Sequence, residues 1–155
     1  MTPLQNEIVN GPLATELAPF VATGDDIAVA AILNDKRFTG LKSRLISARG
    51  VLSDYPGGPM AAAAVLDKLE AATPAVPALR WAIGFLKGEG LDIGHPATQA
   101  MLDQLAQGGV ITVLEADKMK SLGLVPMSRS ELLLGHALKI TDVAAAVRND
   151  DGSPK

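Results

Sequence analysis

The chain has 155 residues and a formal charge of −3, enough length for one compact domain or two small subdomains around a real core. It holds 24 Ala and 21 Leu against 27 Val, Ile and Thr together, a composition that belongs to helices rather than to a sheet. With no Cys, one Trp, one Tyr and three Phe, it excludes disulfides, thiolate nucleophiles, Cys-based zinc sites and stacking platforms for single-stranded nucleic acid.

In chain order, Met1 to Glu7 carries neither a basic nor an apolar leader region, and the first 35 residues contain no Lys or Arg. This predicts neither a secretory nor a mitochondrial leader, and synthesis in the reducing cytosol. The mean hydropathy of +0.23 is inflated by alanine. Every 18-residue window contains a charged or helix-breaking residue, which predicts no membrane span. Breakers divide the chain into about nine short helical segments. Thr2 before Pro3 predicts a capped start, and a second segment runs through Leu13, Leu17 and Phe20, limited or kinked at Pro19. Asp25 and Asp26 open a helix from Ile27 to Leu33, at the end of the dipole that favours acids.

Leu41, Leu45, Ala48, Leu52 and Tyr55 fall at helical offsets and predict one amphipathic helix, ended by Pro56-Gly57-Gly58-Pro59. Ala61 to Leu69 forms the next helix. Pro74-Ala75-Val76-Pro77 is then the best linker candidate, dividing an N-terminal subdomain (1–73) from a C-terminal one (78–149), with a flexible tail at 150–155. The second half opens with Leu79, Ile83 and Leu86 on one stripe and Trp81 with Phe85 on a neighbouring one. That aromatic pair reads either as core or as an exposed anchor for a partner protein. His95-Pro96 precedes a helix carrying Met101, Leu102 and Leu105, which Gly108-Gly109 ends. Capping boxes follow at Thr112–Glu115 and Ser128–Glu131, and Thr141 or Asp142 caps the last helix.

Charge is split along the chain. Glu7, Glu16, Asp25, Asp26 and Asp35 stand in the first 35 residues without a cation; Lys36, Arg37, Lys42, Arg44 and Arg49 fill the next fourteen without an anion. The basic segment 36–49 is a candidate partner-binding surface, for an acidic face of another subunit or for phosphate. The alternative is that the two blocks pair within the fold or simply face water. The acidic total and the lack of a helix-turn-helix or zinc finger count against a nucleic-acid role, which would leave a small regulator using 36–49.

Other chemistry is sparse. His95 reads as a helix-entry residue and His136 as a partly buried or loop histidine; their separation and surroundings fit no metal motif. Asp25-Asp26 reads as a cap rather than a carboxylate dyad. None of Ser43, Ser47, Ser53, Ser121, Ser128 and Ser130 has a His close in sequence to act as base, and the glycine pairs match no phosphate-binding loop. The expectation is a protein without catalytic residues, metal or cofactor.

Four phrases between Leu91 and Val147 stand in a distinctive order. They are Leu91-Asp92-Ile93-Gly94-His95-Pro96-Ala97-Thr98, then Met101 to Leu105 with Gly109-Val110-Ile111-Thr112. Next come Glu115-Ala116-Asp117, Leu122-Gly123 and Pro126 to Leu132, and lastly Ile140 to Val147. In these the chain resembles small α-helical proteins encoded in or near the structural-gene regions of tailed bacteriophages. The resemblance implies an all-α, non-enzymatic virion component of tail, neck or head, made in the host cytoplasm and working through contacts with other phage structural proteins and copies of itself. It leaves open an assembly chaperone or scaffold-like protein lost from the mature particle. The apolar surplus around Leu132-Leu133-Leu134 would serve as interface.

Overall fold

The computed structural model describes residues 1–149, 151–153 and 155. Helix makes up 61% of the chain and strand 8%, with ten helices among the described residues, nine of them seven residues or longer. The all-α expectation of about nine short helices holds. In order the elements are α1 (Pro3–Asn10), α2 (Ala14–Thr23), α3 (Asp26–Asn34), β1 (Phe38–Leu41), β2 (Leu45–Ile46), α4 (Ala48–Asp54), α5 (Pro59–Ala72) and α6 (Pro77–Lys87). There follow β3 (Leu91–Asp92), α7 (Pro96–Gln107), α8 (Val113–Ser121), β4 (Leu124–Met127), α9 (Arg129–Leu134) and α10 (Ile140–Val147).

The fold separates into two compact units, but not at the prolines. Met1–Gly40 joins Pro126–Lys155 in a split unit, and Leu41–Val125 forms a continuous unit. The boundary expected at 74–77 is therefore corrected: it lies inside the continuous unit, between α5 and α6. Ala62, Val65 and Leu69 of α5 share one core with Leu79, Ile83 and Leu86 of α6. Prolines end helices because of local sterics; a unit ends where long-range packing ends, and residues 74–77 do only the first.

In the split unit, Leu4, Ile8, Leu13, Leu17, Val29 and Leu33 from the first forty residues pack with Leu138, Val143, Ala146 and Val147 from the last thirty. Its helices are punctuated as expected. Thr2 and Gln5 form a reciprocal capping box ahead of Pro3, and Asp25 accepts from the Ala28 amide at 3.0 Å. α2 continues past Pro19 to Thr23, whose hydroxyl donates to the Pro19 carbonyl at 3.0 Å; Gly24, at φ +78°, closes it. The last helix starts earlier than expected, at Ile140 with Lys139 as N-cap. Asp142 acts from its third position, accepting from the Lys139 amide at 2.9 Å. Of the tail, Asp150 and Pro154 lie outside the described residues, while Lys155 donates from its amide to Val147 and from Nζ to Ala145.

In the continuous unit one expectation fails in an instructive way. The helix foreseen from Leu41 to Tyr55 begins only at Ala48, where the Ser47 hydroxyl accepts from the Gly50 amide at 3.2 Å. Residues 41–46 are extended instead, because their backbone groups have partners that a helix would forfeit. Ile46 and Leu45 pair antiparallel with Leu91 and Asp92 in β2–β3. The Asp92 carboxylate accepts from the Ser43 hydroxyl at 2.6 Å and the Arg44 amide at 2.9 Å, and the Lys42 amide donates to the Gly123 carbonyl at 3.1 Å. Three backbone segments cross here at close quarters. A Cβ on Gly94 would overlap the carbonyl of Lys42, and one on Gly123 would stand 2.9 Å from the Gly94 Cα. Only glycine allows that approach. Leu41 and Leu45 consequently face water, while Ile46, Val51 and Tyr55 enter the core.

Candidate functional site

Two exposed aromatic residues stand on α6. Pro77 occupies its first turn, which suits the fixed φ of proline, and the helix buries Leu79, Ala82, Ile83 and Leu86 on one stripe. That stripe uses up the positions facing the core. Trp81 and Phe85, turned to the opposite side, remain 68% and 46% exposed. The core alternative for the pair is thereby corrected: both rings face outward. Lys87, in the last turn, pairs with Glu70 of α5 at 2.5 Å. Gly88 and Gly90 end the helix, and the Gly90 amide donates to the Phe85 carbonyl at 2.7 Å. Leu45 of β2 lies beside Gly90, 68% exposed. Sequence reasoning missed it as a surface residue because the helical spacing from Leu41 to Tyr55 assigned it to a buried face.

The basic segment 36–49 is not one helix and does not belong to one unit. Lys36 and Arg37 lie in the split unit; Lys42, Arg44 and Arg49 lie in the continuous one. Arg37 donates to Glu16 at 2.7 Å and to Asp35 at 2.6 Å, and those two partners hold its pKa above the ordinary arginine value. Lys36 stands 3.8 Å from Glu131. Arg44 reaches Asp54 and the Leu122 carbonyl, and its hydrogen bond, with that of Ser53, pulls the Asp54 carboxyl below the usual aspartate range. Three of the five candidate cations are thus engaged within their own units. Lys42 and Arg49 have no ion-pair partner among the described residues.

The acidic block finds its other cations far along the chain. Glu7, 5% exposed, receives a two-pronged pair from Arg129 at 2.6 and 2.8 Å, and the Arg129 guanidinium also lies over the Phe38 ring at 5.9 Å. Arg148 donates to Asp26 at 2.8 Å. No signal in the sequence links positions 122 residues apart, so neither pair was foreseen. The same holds for Asn34, whose side chain clamps the Leu138 backbone through both polar groups and accepts from the Ser130 hydroxyl at 2.6 Å. Ser130 in turn bonds Ser128, the expected N-cap, and both hydroxyls are buried.

The remaining candidates take the plainer roles foreseen for them. His95 accepts from the Ala97 amide at the start of α7, and His136 is exposed in the loop after Gly135. No group of three or more His, Asp or Glu side chains is placed to hold a metal ion among the described residues. Asp92 carries its carboxyl below the ordinary range because Ser43 and the Arg44 and Gly94 amides donate to it. Glu115 does so chiefly through Lys68. A cleft of about 720 Å³ opens beside Gly24, Ala144 and Arg148, but Arg148 is held by Asp26 and Lys155 Nζ by Ala145. No helix among the described residues is long and apolar enough to cross a membrane. Comparison with protein-family models, curated proteins and solved structures finds no match.

Proposed function

We propose that this chain is a non-enzymatic structural or accessory subunit of a bacteriophage virion, an adaptor or decorating subunit of tail, neck or head, that acts by protein contact. It is made in the host cytoplasm and carried in the particle. The observation that carries this reading is the Trp81–Phe85 pair, held in the open on a helix whose other face is fully packed. Leaving such rings partly in water forfeits a share of the about 1.5–3 kcal/mol that full burial of each would contribute, and tryptophan is among the residues enriched at the anchors of interfaces. The ordered phrases from Leu91 to Val147 support the phage assignment, and Lys42 and Arg49, exposed and without an ion-pair partner among the described residues, carry charge of the kind that steers association.

Quantitative mass spectrometry of purified virions tests it. The chain at a fixed copy number per particle is the expected result, and its absence overturns the virion assignment. Co-purification with an unassembled structural protein but not with particles would identify an assembly factor instead. Salt-sensitive binding to duplex DNA would favour the regulator.

A further inference from the structure

We infer that Asn10–Gly11 is a self-modification site, at which Asn10 turns into aspartate and isoaspartate without an enzyme, and that the buried Glu7–Arg129 pair sets the rate. Of the four asparagines, Asn6, Asn10, Asn34 and Asn149, only Asn10 precedes a glycine. The residue is exposed, and with no side chain on residue 11 nothing shields its carboxamide carbon from the Gly11 nitrogen. That nitrogen, on losing its proton to hydroxide, attacks Asn10 Cγ. The new C–N bond closes a five-membered succinimide as the Cγ–Nδ2 bond breaks and ammonia leaves. Water then opens the ring at either carbonyl. One opening gives aspartate; the other gives isoaspartate, whose side-chain methylene has joined the main chain. The balance is asparagine plus water to acid plus ammonia, with no change of oxidation state.

The fold requires the glycine. A Cβ on residue 11 would overlap both the carboxylate and the carbonyl oxygen of Glu7. Gly11 therefore lies directly on Glu7, which is buried and clasped by Arg129 through two hydrogen bonds. The Gly11 amide also donates to the Glu7 carbonyl at 2.8 Å, and Asn10 Nδ2 donates to Asn6 Oδ1 at 3.0 Å. Both bonds hold the reaction back, because the nucleophile keeps its proton and the leaving nitrogen is tied along α1. Asn10 is also the last helical residue. Ring closure brings Cβ and the Gly11 nitrogen nearly eclipsed about the Cα–C bond, which a helical ψ does not allow. The reaction thus waits for the last turn of α1 to lift, and Arg129 is the residue that keeps Glu7, and with it Gly11, in place.

The product acts back on the same pair. Isoaspartate lengthens the main chain by one carbon immediately before Gly11, which moves Gly11 off Glu7. It also adds an anion at the C-terminal end of α1, where the helix dipole disfavours one. The modified chain therefore holds its split unit more weakly than the original. The step concerns the chain alone, so it stands or falls separately from the presence of the protein in virions.

Incubation of the purified full chain in mildly alkaline buffer, followed by peptide mapping with mass spectrometry, tests the site. Acid is expected to accumulate at Asn10 ahead of Asn6, Asn34 and Asn149, and Asn10→Gln, which would need a six-membered ring, is expected to stop it. Arg129→Met should raise the rate about tenfold or more, and Arg129→Lys, which keeps the charge but not the two-pronged hold, by less. Asn34→Ala weakens the same unit away from α1 and should change the rate little. The isoaspartate form, separated by ion exchange, should melt below Asn10→Asp, which carries the same charge at the ordinary spacing. An Asn10 that reacts no faster than the other asparagines overturns the inference. So does an equal acceleration by Arg129→Met and Asn34→Ala, or an isoaspartate form that melts with Asn10→Asp.

Discussion

The two units reach stability by different means. The continuous unit closes its core within one unbroken stretch of chain: sixteen buried hydrophobic residues between Ile46 and Leu122. The split unit has eleven, drawn from both ends of the chain, and adds polar ties across the join. Glu7–Arg129, Asp26–Arg148 and the Asn34 clamp on Leu138 each link the first forty residues to the last thirty. A small core assembled from separated segments gains register from such directional bonds, which apolar contact alone does not give. The comparison predicts that damage to the continuous unit comes from steric intrusion, and damage to the split unit from orphaned polar groups.

The largest effect belongs to Gly94→Ala. Its methyl group would overlap the Lys42 carbonyl, and that backbone is itself pinned by Gly123 and by β2–β3, so nothing can move aside cheaply. A loss of about 4 kcal/mol or more in urea unfolding is expected, where Gly84→Ala, with open space around it, costs nothing or stabilises α6. If both substitutions behave alike, the crossing does not control the continuous unit.

Next comes Arg129→Met, which leaves the Glu7 carboxylate buried without its partner. Because Arg129 is 28% exposed, the expected loss is about 2–3 kcal/mol, at the lower edge of the range for breaking a buried pair. Adding Glu7→Leu should return most of it, since removing both charges leaves no orphan. Should Arg129→Met alone be silent in chemical denaturation, the polar ties do not hold the split unit together. Asn34→Ala follows at about 1–3 kcal/mol, from the Leu138 N–H and C=O left unpaired together.

How much of this was legible follows the same division. Caps and breaks are legible at Thr2, Asp25, His95, Thr112 and Ser128, because the chemistry that starts a helix lies within four residues of it. The aromatic pair was placed on a stripe beside the core stripe; whether it faced core or water depended on what packed over α6. Leu41 to Tyr55 carries a helical spacing that loses to Asp92 and Gly123, 48 and more residues away. The split unit was invisible for the same reason: nothing in Glu7 announces Arg129. Punctuation by proline then suggested a division where the packing has none.

Acid should weaken the continuous unit next. Asp92, Asp54 and Glu115 all lie in the continuous unit with pKa values lowered by their donors. A carboxyl whose folded pKa lies below its unfolded value adds stability above about pH 4, and that stability drains away as pH falls through the folded value. Unfolding of the continuous unit should therefore grow easier below about pH 4. Asp92→Asn should flatten that dependence while lowering stability at neutral pH. A pH profile from pH 7 to pH 2 that is identical for Asp92→Asn and the unaltered chain would show that the carboxylate does not anchor the crossing.

The smallest effects test what the basic segment is for. Arg44 and Arg49 stand five positions apart in one unit, yet only Arg44 is engaged, by Asp54 and the Leu122 carbonyl. Arg44→Glu should lower the melting temperature of the isolated chain, because it loses both bonds and sets a carboxylate against Asp54. Arg49→Glu, with no partner to lose, should leave the melting temperature where it was. If Arg49→Glu nonetheless impairs incorporation into particles, its charge serves a neighbour and not the fold. If both arginines matter equally to thermal stability, the segment pairs within the chain throughout and has no cation to spare. The charge split that makes 36–49 look like one surface is thus two things, a set of internal ties and a pair of free cations, Lys42 and Arg49, and only the second can meet a partner without weakening its own unit.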